Sequence, residues 1–445
     1  MSPNLDEILD AADDLPTLAR ALGERCLEVS EVYWESQPQQ AVEDAAALTT
    51  ATGENLAAVS HDSIAGCVKA IRRTVNAVAT TELIEKAAPL AVRAVLRAMC
   101  PTVLERYYRR ERPLVLLRRG DVYPIPNRTP VTHYPLTYSA HNTDRLYPLR
   151  GTDFRIWSFP GDSWPSVRLD FRLIDEIDDA TYPNGRLPVC ATVHPHHSFE
   201  DLDRQIEKPE LRFFAVGPRA VDLDTIERQL TAAAAARATV AVLPEMSLDR
   251  SDRLQDLIRR KHAKFPLLIV AGSAHDLHTR TNTSVTYFRG SPVMRHDKLR
   301  PFEWMDDDTG QRRTEDLATG DTLTVLAGRA TGLSIAICSD LLHAPIVDRL
   351  LHAGVNMLLV PALTAKMGPF ETVAARVATE RRGVALVCNG SVLRAGVSQQ
   401  PFLALGGAPR EQGHTRRYDR TSTGDRRCVL RFRPDRMEIA RVGVS

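Results

Sequence analysis

Residues 206–445 predict an α/β domain built on mixed sheets, and residues 5–112 predict an all-α segment ahead of it. Two observations carry the first expectation. Apolar runs such as Val240–Leu243, Leu267–Gly272, Met357–Val360 and Val384–Val387 are short and polar-free. They alternate with amphipathic stretches at 222–237, 250–264, 344–353 and 369–382, the pattern of a sheet covered by helices. Hairpin-like pairs around 284–295 and 322–338 make the sheets mixed rather than purely parallel. The second expectation rests on composition: Ala, Leu, Glu and Arg dominate 5–112 and glycine is rare.

A length of 445 residues predicts two or three folding units. Residues 1–112 are expected to form a helical accessory or interaction domain. In it, Leu83, Ile84, Ala87, Leu90, Ala91, Val95 and Leu96 follow helical spacing. Pro89 is expected to kink or interrupt that stretch, and Pro101 and Pro113 to punctuate the next one. Residues 113–205 are rich in proline and aromatic residues and read either as a connector or as a small β-containing unit. Ser166–Ile174 alternates there like a half-exposed strand. Residues 206–445 are expected to be the catalytic domain. Short strands are predicted at 213–216, 240–243, 267–272, 357–360 and 384–387, and Asp224 as a helix N-cap.

A formal net charge of +1 provides no global footprint for nucleic acid or an anionic membrane. Charge is uneven, however. Residues 1–60 hold twelve acids against Arg20 and Arg25, while residues 68–119 hold twelve Lys and Arg against four Glu. The simplest expectation is that these segments fold against each other. Arg109–Arg112 beside Tyr107 and Tyr108 reads as a solvated helix end rather than a nucleic-acid site. Seven cysteines lie scattered, with no Cys-x-x-Cys pair. That disfavours a disulfide framework or a zinc ribbon and favours a reducing, cytoplasmic setting. No apolar run reaches the length of a membrane span. His194-Pro195-His196-His197 and Asp306-Asp307-Asp308 lack further ligands at a metal-binding spacing, so no metal site is expected.

Three residues at apolar strand edges carry the candidate chemistry. Glu245 closes Val240-Ala-Val-Leu-Pro-Glu245, Lys298 lies in His296-Asp297-Lys298-Leu299, and Cys338 ends Gly332-Leu-Ser-Ile-Ala-Ile-Cys338. A thiol attacks an amide or nitrile carbon only as thiolate, so a buried thiol needs a base. Glu245 can accept its proton and later return it to the leaving amine. Lys298, with a backbone amide just after Cys338, can stabilise the oxyanion. Cys190 and Cys388 lack such company and read as structural thiols.

Leu-Pro-Glu245, His-Asp-Lys298 and Ile-Cys338-Ser-Asp, in this order and at intervals of 53 and 40 residues, resemble the Glu–Lys–Cys triad of the nitrilase (carbon–nitrogen hydrolase) superfamily. Asn282-Thr-Ser before Gly290, Val360-Pro-Ala362 and Val387-Cys-Asn389 resemble further marks of that family. The resemblance covers about residues 206–445. It implies a nitrilase-like α-β-β-α sandwich, a thioester intermediate, no metal or organic cofactor, and frequent dimerisation through helices near the site. The second glutamate that family members often carry after the lysine would be Glu303 in Pro301-Phe302-Glu303; the other reading of Glu303 is a loop carboxylate near Arg300. Asn282, Ser339, Asp340, His343 and Ala362 are the expected substrate-side residues, Ser339 and Asp340 also being expected to orient the loop and His343 being either a pocket contact or a helix-start residue. Leu341-Leu342-His343 replace the arginine and aromatic common after Cys-x-Asp, and Leu363–Met367 lack the usual tryptophan.

The resemblance therefore implies amidase-like hydrolysis of a non-peptide C–N bond in a small-molecule amide or nitrile. Two alternatives stay open: acyl transfer to an amine from the same thioester, and a small-molecule sensor whose helical N-terminal domain binds a protein partner.

Overall fold

The computed structural model describes residues 4–27, 39–59, 63–81, 83, 88–117, 122–126, 154–158, 164–183, 187–195, 202–204, 212–213, 216–218, 222–247, 253–276, 278–305, 310–364, 367–381, 383–390, 404–407, 415–418, 428–432 and 437–440. His196, His197 and Asp306–Asp308 lie outside them. The chain divides into one unit of residues 1–162 and 171–175 and a second of residues 163–170 and 176–445.

The first unit is helical through Leu5–Ala11, Leu15–Leu27, Gln39–Ala57, Ile64–Val78, Ala88–Met99 and Glu105–Glu111. Asn4 and Glu7 form a capping box, and Ser63 accepts from Gly66 N–H, so two helix starts are closed by local side chains. Leu18, Leu22, Leu48, Leu56, Ile71, Val95 and Leu96 are buried at helical spacings. Pro89 does not interrupt its helix; it lies in the first turn of Ala88–Met99, where its missing N–H costs no hydrogen bond. Pro101 falls in a π-helical turn, Cys100–Leu104, that carries the chain into the next helix. Residues Phe171–Asp175 join this unit: Phe171 stacks on Tyr108, and Arg109 pairs with Asp175 at 2.6 Å. Asp10 of the acidic stretch pairs with Arg72 of the basic one. Both groups are partly exposed, so the pair matters less for stability than for neutralisation.

In the second unit, one sheet contains Ser166–Asp170, Thr322–Ala327, Gly332–Ile335, Met357–Ala362, Val384–Asn389, Ala404–Gly407 and Thr415–Tyr418, in that order. Gly332–Ile335, Met357–Ala362 and Val384–Asn389 run parallel, and the flanking pairs with Thr322–Ala327 and Ala404–Gly407 are antiparallel. The other sheet has Val189–Thr192, Val240–Val242 and Leu268–Val270 in parallel at its centre. On one side it continues through Thr281–Phe288, which pairs with both Ala274–Asp276 and Ser291–Asp297; on the other, through Cys428–Phe432 and Met437–Ala440. Strands Ser166–Asp170 and Val189–Thr192, within the stretch expected as a connector or a small β-containing unit, are parts of the two sheets.

Side-chain alternation sorts the layers. Ala241, Leu243, Ile269, Ala271 and Tyr287 pack with Ile226, Leu230, Leu254, Leu257 and Ile258 of helices Leu223–Ala235 and Arg253–Lys261. Val240, Val242, Leu268 and Val270, on the opposite face, are also fully buried, toward the other sheet. Helix Gly368–Glu380 covers Val384–Asn389 and Ala404–Gly407. It lies so close that a Cβ on Gly407 would stand 2.8 Å from the Ala374 carbonyl oxygen. The layering is the expected α-β-β-α sandwich, and burial on both faces explains why Val240–Val242, Leu268–Val270 and Met357–Ala362 carry no polar side chain. Asp222 rather than Asp224 caps Leu223–Ala235, because its carboxylate reaches Thr225 N–H at 2.9 Å. The run predicted as one strand at 213–216 contains parts of two, Arg212–Phe213 and Val216–Pro218. Among the described residues, no helix is long and apolar enough to cross a membrane.

Candidate active site

Glu245 follows strand Val240–Val242 in a turn held from both sheets. Leu243 N–H continues the ladder to the Val270 carbonyl at 2.9 Å, while Glu245 N–H reaches across to the Ala362 carbonyl at 3.3 Å. Behind the turn Gly272 adopts φ +74°, and a Cβ there would stand 2.3 Å from the Pro244 carbonyl oxygen. The next residue, Met246, takes the left-handed region at φ +59°. Such a conformation in a non-glycine residue persists only where its surroundings enforce it.

Lys298 is the first residue after strand Ser291–Asp297, and its N–H donates to the Asn282 carbonyl at 2.8 Å, extending the hairpin by one rung. Its side chain is buried. Nζ donates to Glu245 Oε1 at 2.7 Å and to Glu315 Oε2, also at 2.7 Å. Asn282 Nδ2 donates to the same Glu245 oxygen at 2.9 Å.

Cys338 opens the 3₁₀ turn Cys338–Leu342 just beyond strand Gly332–Ile335, with φ +43°. Cys338 is 2% exposed, and its thiol donates to the Leu363 carbonyl at 3.8 Å. Burial pushes the Cys338 thiol well above its ordinary range and the Glu245 charge adds to that, against an opposing contribution from Lys298. The resting group is a thiol with a carboxylate and an ammonium in electrostatic contact. For Lys298, burial works against the charge, but Glu245 and Glu315, with Cys338, outweigh it and raise its pKa. For Glu315, burial works toward protonation, but Lys298 and His275 outweigh it and hold the carboxyl below the usual range.

The structure brings Glu245, Lys298, Cys338 and Asn282 together, and it places Glu303 elsewhere. Glu303 is half-buried and pairs with Arg312; the carboxylate on Lys298 is Glu315, which no apolar run or motif marks in the sequence. The reason is strand geometry. Glu303–Met305 and Arg312–Glu315 are antiparallel with Glu303 opposite Thr314. Cross-strand partners share a face, so Glu315, one position on, points to the other face. Glu315 is further held by Phe302 N–H at 2.9 Å and by the His275 ring at 2.6 Å.

The residues after Cys338 hold the frame. Ser339 Oγ donates to the Arg300 carbonyl at 2.6 Å. Asp340 is fully buried: Oδ1 accepts from Leu299 and Arg300 N–H at 2.9 and 2.8 Å, and Oδ2 faces Ile337 N–H at 2.9 Å and His296 Nε2 at 3.1 Å. One carboxylate thus ties the thiol turn to the lysine segment. Ala362 contributes its carbonyl, accepting from Glu245 and Gly390 N–H. His343 occupies the N-cap position of helix Ala344–His352 without a side-chain cap, its ring edge-on to Trp164 at 5.6 Å. Partial burial and the nearby Arg300 charge lower its pKa. Among the described residues no group of three or more His, Cys, Asp or Glu side chains is placed to hold a metal ion.

No protein-family model matches the chain, and no curated protein matches it in sequence. Solved structures similar to it include an amidase from Nesterenkonia sp., with TM-score 0.36 and 14% identity over 51% of this chain and 84% of that one. A mutant of the amidase from Nesterenkonia sp. AN1, with acrylamide added to its active-site cysteine, has TM-score 0.39 and 14% identity over 56% and 94%. Another mutant of that amidase, described as from the nitrilase superfamily, has TM-score 0.37 and 14% identity over 52% and 86%. At this level of similarity neither activity nor substrate passes from those amidases to this chain.

Proposed function

We propose that the second unit is a cysteine-dependent hydrolase of a non-peptide C–N bond, amidase-like, acting on a small molecule through a thioester. The observation that carries this reading is the single buried ammonium of Lys298, 2.7 Å from both Glu245 and Glu315, in electrostatic contact with the Cys338 thiol.

The chemistry follows from those positions. The Cys338 proton passes to Glu245 as Sγ bonds to the amide carbon, and the carbonyl π pair becomes an oxyanion. Lys298 opposes that negative charge, with the Ser339 N–H just after Cys338 as a further donor. The intermediate collapses by C–N cleavage, Glu245 returning its proton to the leaving amine. Water then adds to the thioester, losing its proton to Glu245, and the C–S bond breaks to restore the thiol. A thiol held protonated at rest suits a base that removes the proton only as the bond forms. Glu315 keeps Lys298 charged and fixed while Glu245 cycles between its two states.

The test is ammonia release from a panel of short aliphatic amides by the full chain and by Cys338→Ala. Loss of turnover in a folded variant supports the reading; turnover at the parent rate overturns it. Product analysis with an added primary amine separates hydrolysis from acyl transfer.

A further inference from the structure

We infer that His275 is a positioning residue of this site, aiming Glu315 at Lys298. The inference rests on the function proposed above. His275 lies on the short strand Ala274–Asp276, directly opposite Asn282 in the antiparallel register. Cross-strand partners share a face, so both side chains project on the side where Glu245 and Glu315 meet Lys298. Asn282 serves Glu245 at 2.9 Å, and His275 Nε2 serves Glu315 Oε1 at 2.6 Å. Two adjacent strands thus supply one hydrogen-bonding support to each carboxylate of the lysine.

The division of labour at Glu315 gives the histidine its consequence. Oε2 accepts from Lys298 Nζ at 2.7 Å and from Phe302 N–H at 2.9 Å. Oε1 meets His275 at hydrogen-bond distance, while Asn282 Nδ2 stands off at 3.5 Å. An ionised carboxylate only accepts, so the ring nitrogen facing it carries the proton. With that donor withdrawn, the carboxylate rotates to satisfy Oε1, and Oε2 no longer lines up with the ammonium. Lys298 then swings toward Glu245 and changes the field at the thiol. Both side chains are almost completely buried, 4% and 1% exposed, so water does not take over the missing bond.

The experiment compares the rate of acrylamide addition to Cys338, by intact mass, in the full chain and in His275→Asn and His275→Gln. In this addition Sγ bonds the terminal alkene carbon and the thiol proton ends on the neighbouring carbon, so no further reactant is needed. Asn stops short of Glu315; Gln places an amide N–H near the position of Nε2. H275N is expected to add acrylamide roughly tenfold to a hundredfold more slowly, and H275Q to recover most of the rate at an unchanged melting temperature. H275N at the parent rate, or H275Q as slow as H275N, overturns the inference. Cys338→Ala provides the separate arm: an adduct forming at the parent rate in that variant defeats the proposed function itself, whereas a blank there with H275N unaffected defeats only the role of His275. If H275N does not fold, ¹⁵N-histidine NMR of the parent, assigned with H275Q, decides. A protonated Nε2 supports the role, and an unprotonated Nε2 overturns it.

Discussion

Lys298 Nζ lies 2.7 Å from Glu315 Oε2, although the two residues stand 17 positions apart and Glu303 is far nearer in sequence. The antiparallel excursion between them brings the chain back and turns Glu315 inward. Lys298 consequently holds two carboxylates in a volume without solvent, where removing one partner costs more than the pair itself contributes.

Lys298→Met is expected to destabilise the protein by about 3–5 kcal/mol, because Glu245 and Glu315 are left as uncompensated buried charges. Adding Glu315→Gln to that variant recovers part of the loss; adding Glu303→Gln recovers none. Urea unfolding of the single and double variants measures the coupling.

Glu303→Gln alone removes only a half-exposed pair with Arg312. Stability is expected to change by less than about 0.5 kcal/mol, with activity essentially unaltered. Glu315→Gln, in contrast, lowers turnover sharply at a retained fold. Parallel kinetics of the two variants check the assignment.

Asp340→Asn puts an amide where a carboxylate faces three backbone N–H groups and His296. One amide hydrogen-bond donor must then confront other donors, for a cost of about 2–3 kcal/mol. The Cys338 turn and the Lys298 segment lose their common anchor. Turnover falls with the melting temperature, and hydrogen exchange at Leu299 and Arg300 accelerates.

The pH dependence follows from two opposite shifts. The Glu315 carboxyl is held down from 4.5 to about 2, so its stabilising contribution is complete above 4.5 and is lost as pH falls toward 2. Lys298 is raised from 10.5, so its contribution is complete below that value and erodes above it. Melting temperatures across the acid window should fall more steeply for the parent than for Glu315→Gln. Parallel slopes would count against the Lys298–Glu315 pairing.

Much of the sandwich could be read from sequence because both faces of its central strands are buried, which removes polar residues from Val240–Leu243, Met357–Val360 and Val384–Val387. Glu245 and Cys338 stood out because each follows such a run, and Lys298 because it follows a hairpin-like stretch at the right place between them. Glu315 did not, since it sits among Arg312, Arg313, Thr314 and Asp316 with no apolar strand to mark it. Only the pairing of Glu303 with Thr314, a contact between two short strands, shows which face it takes. His275 was equally silent: a strand of three residues is too short for alternation to reveal an inward histidine. For Ser339 and Asp340, adjacency to the thiol suggested both substrate contact and a role in orienting the loop, and their hydrogen bonds to backbone 39–41 residues upstream serve the second.

The most direct test of the central claim is peptide mapping of the full chain after brief exposure to short aliphatic amides and rapid acid quench. Nucleophilic Cys338 activated by Glu245 and Lys298 predicts an acyl group on the peptide containing Cys338, absent in Glu245→Gln. Turnover with the acyl group on another residue, or undiminished turnover in Cys338→Ala, would contradict it.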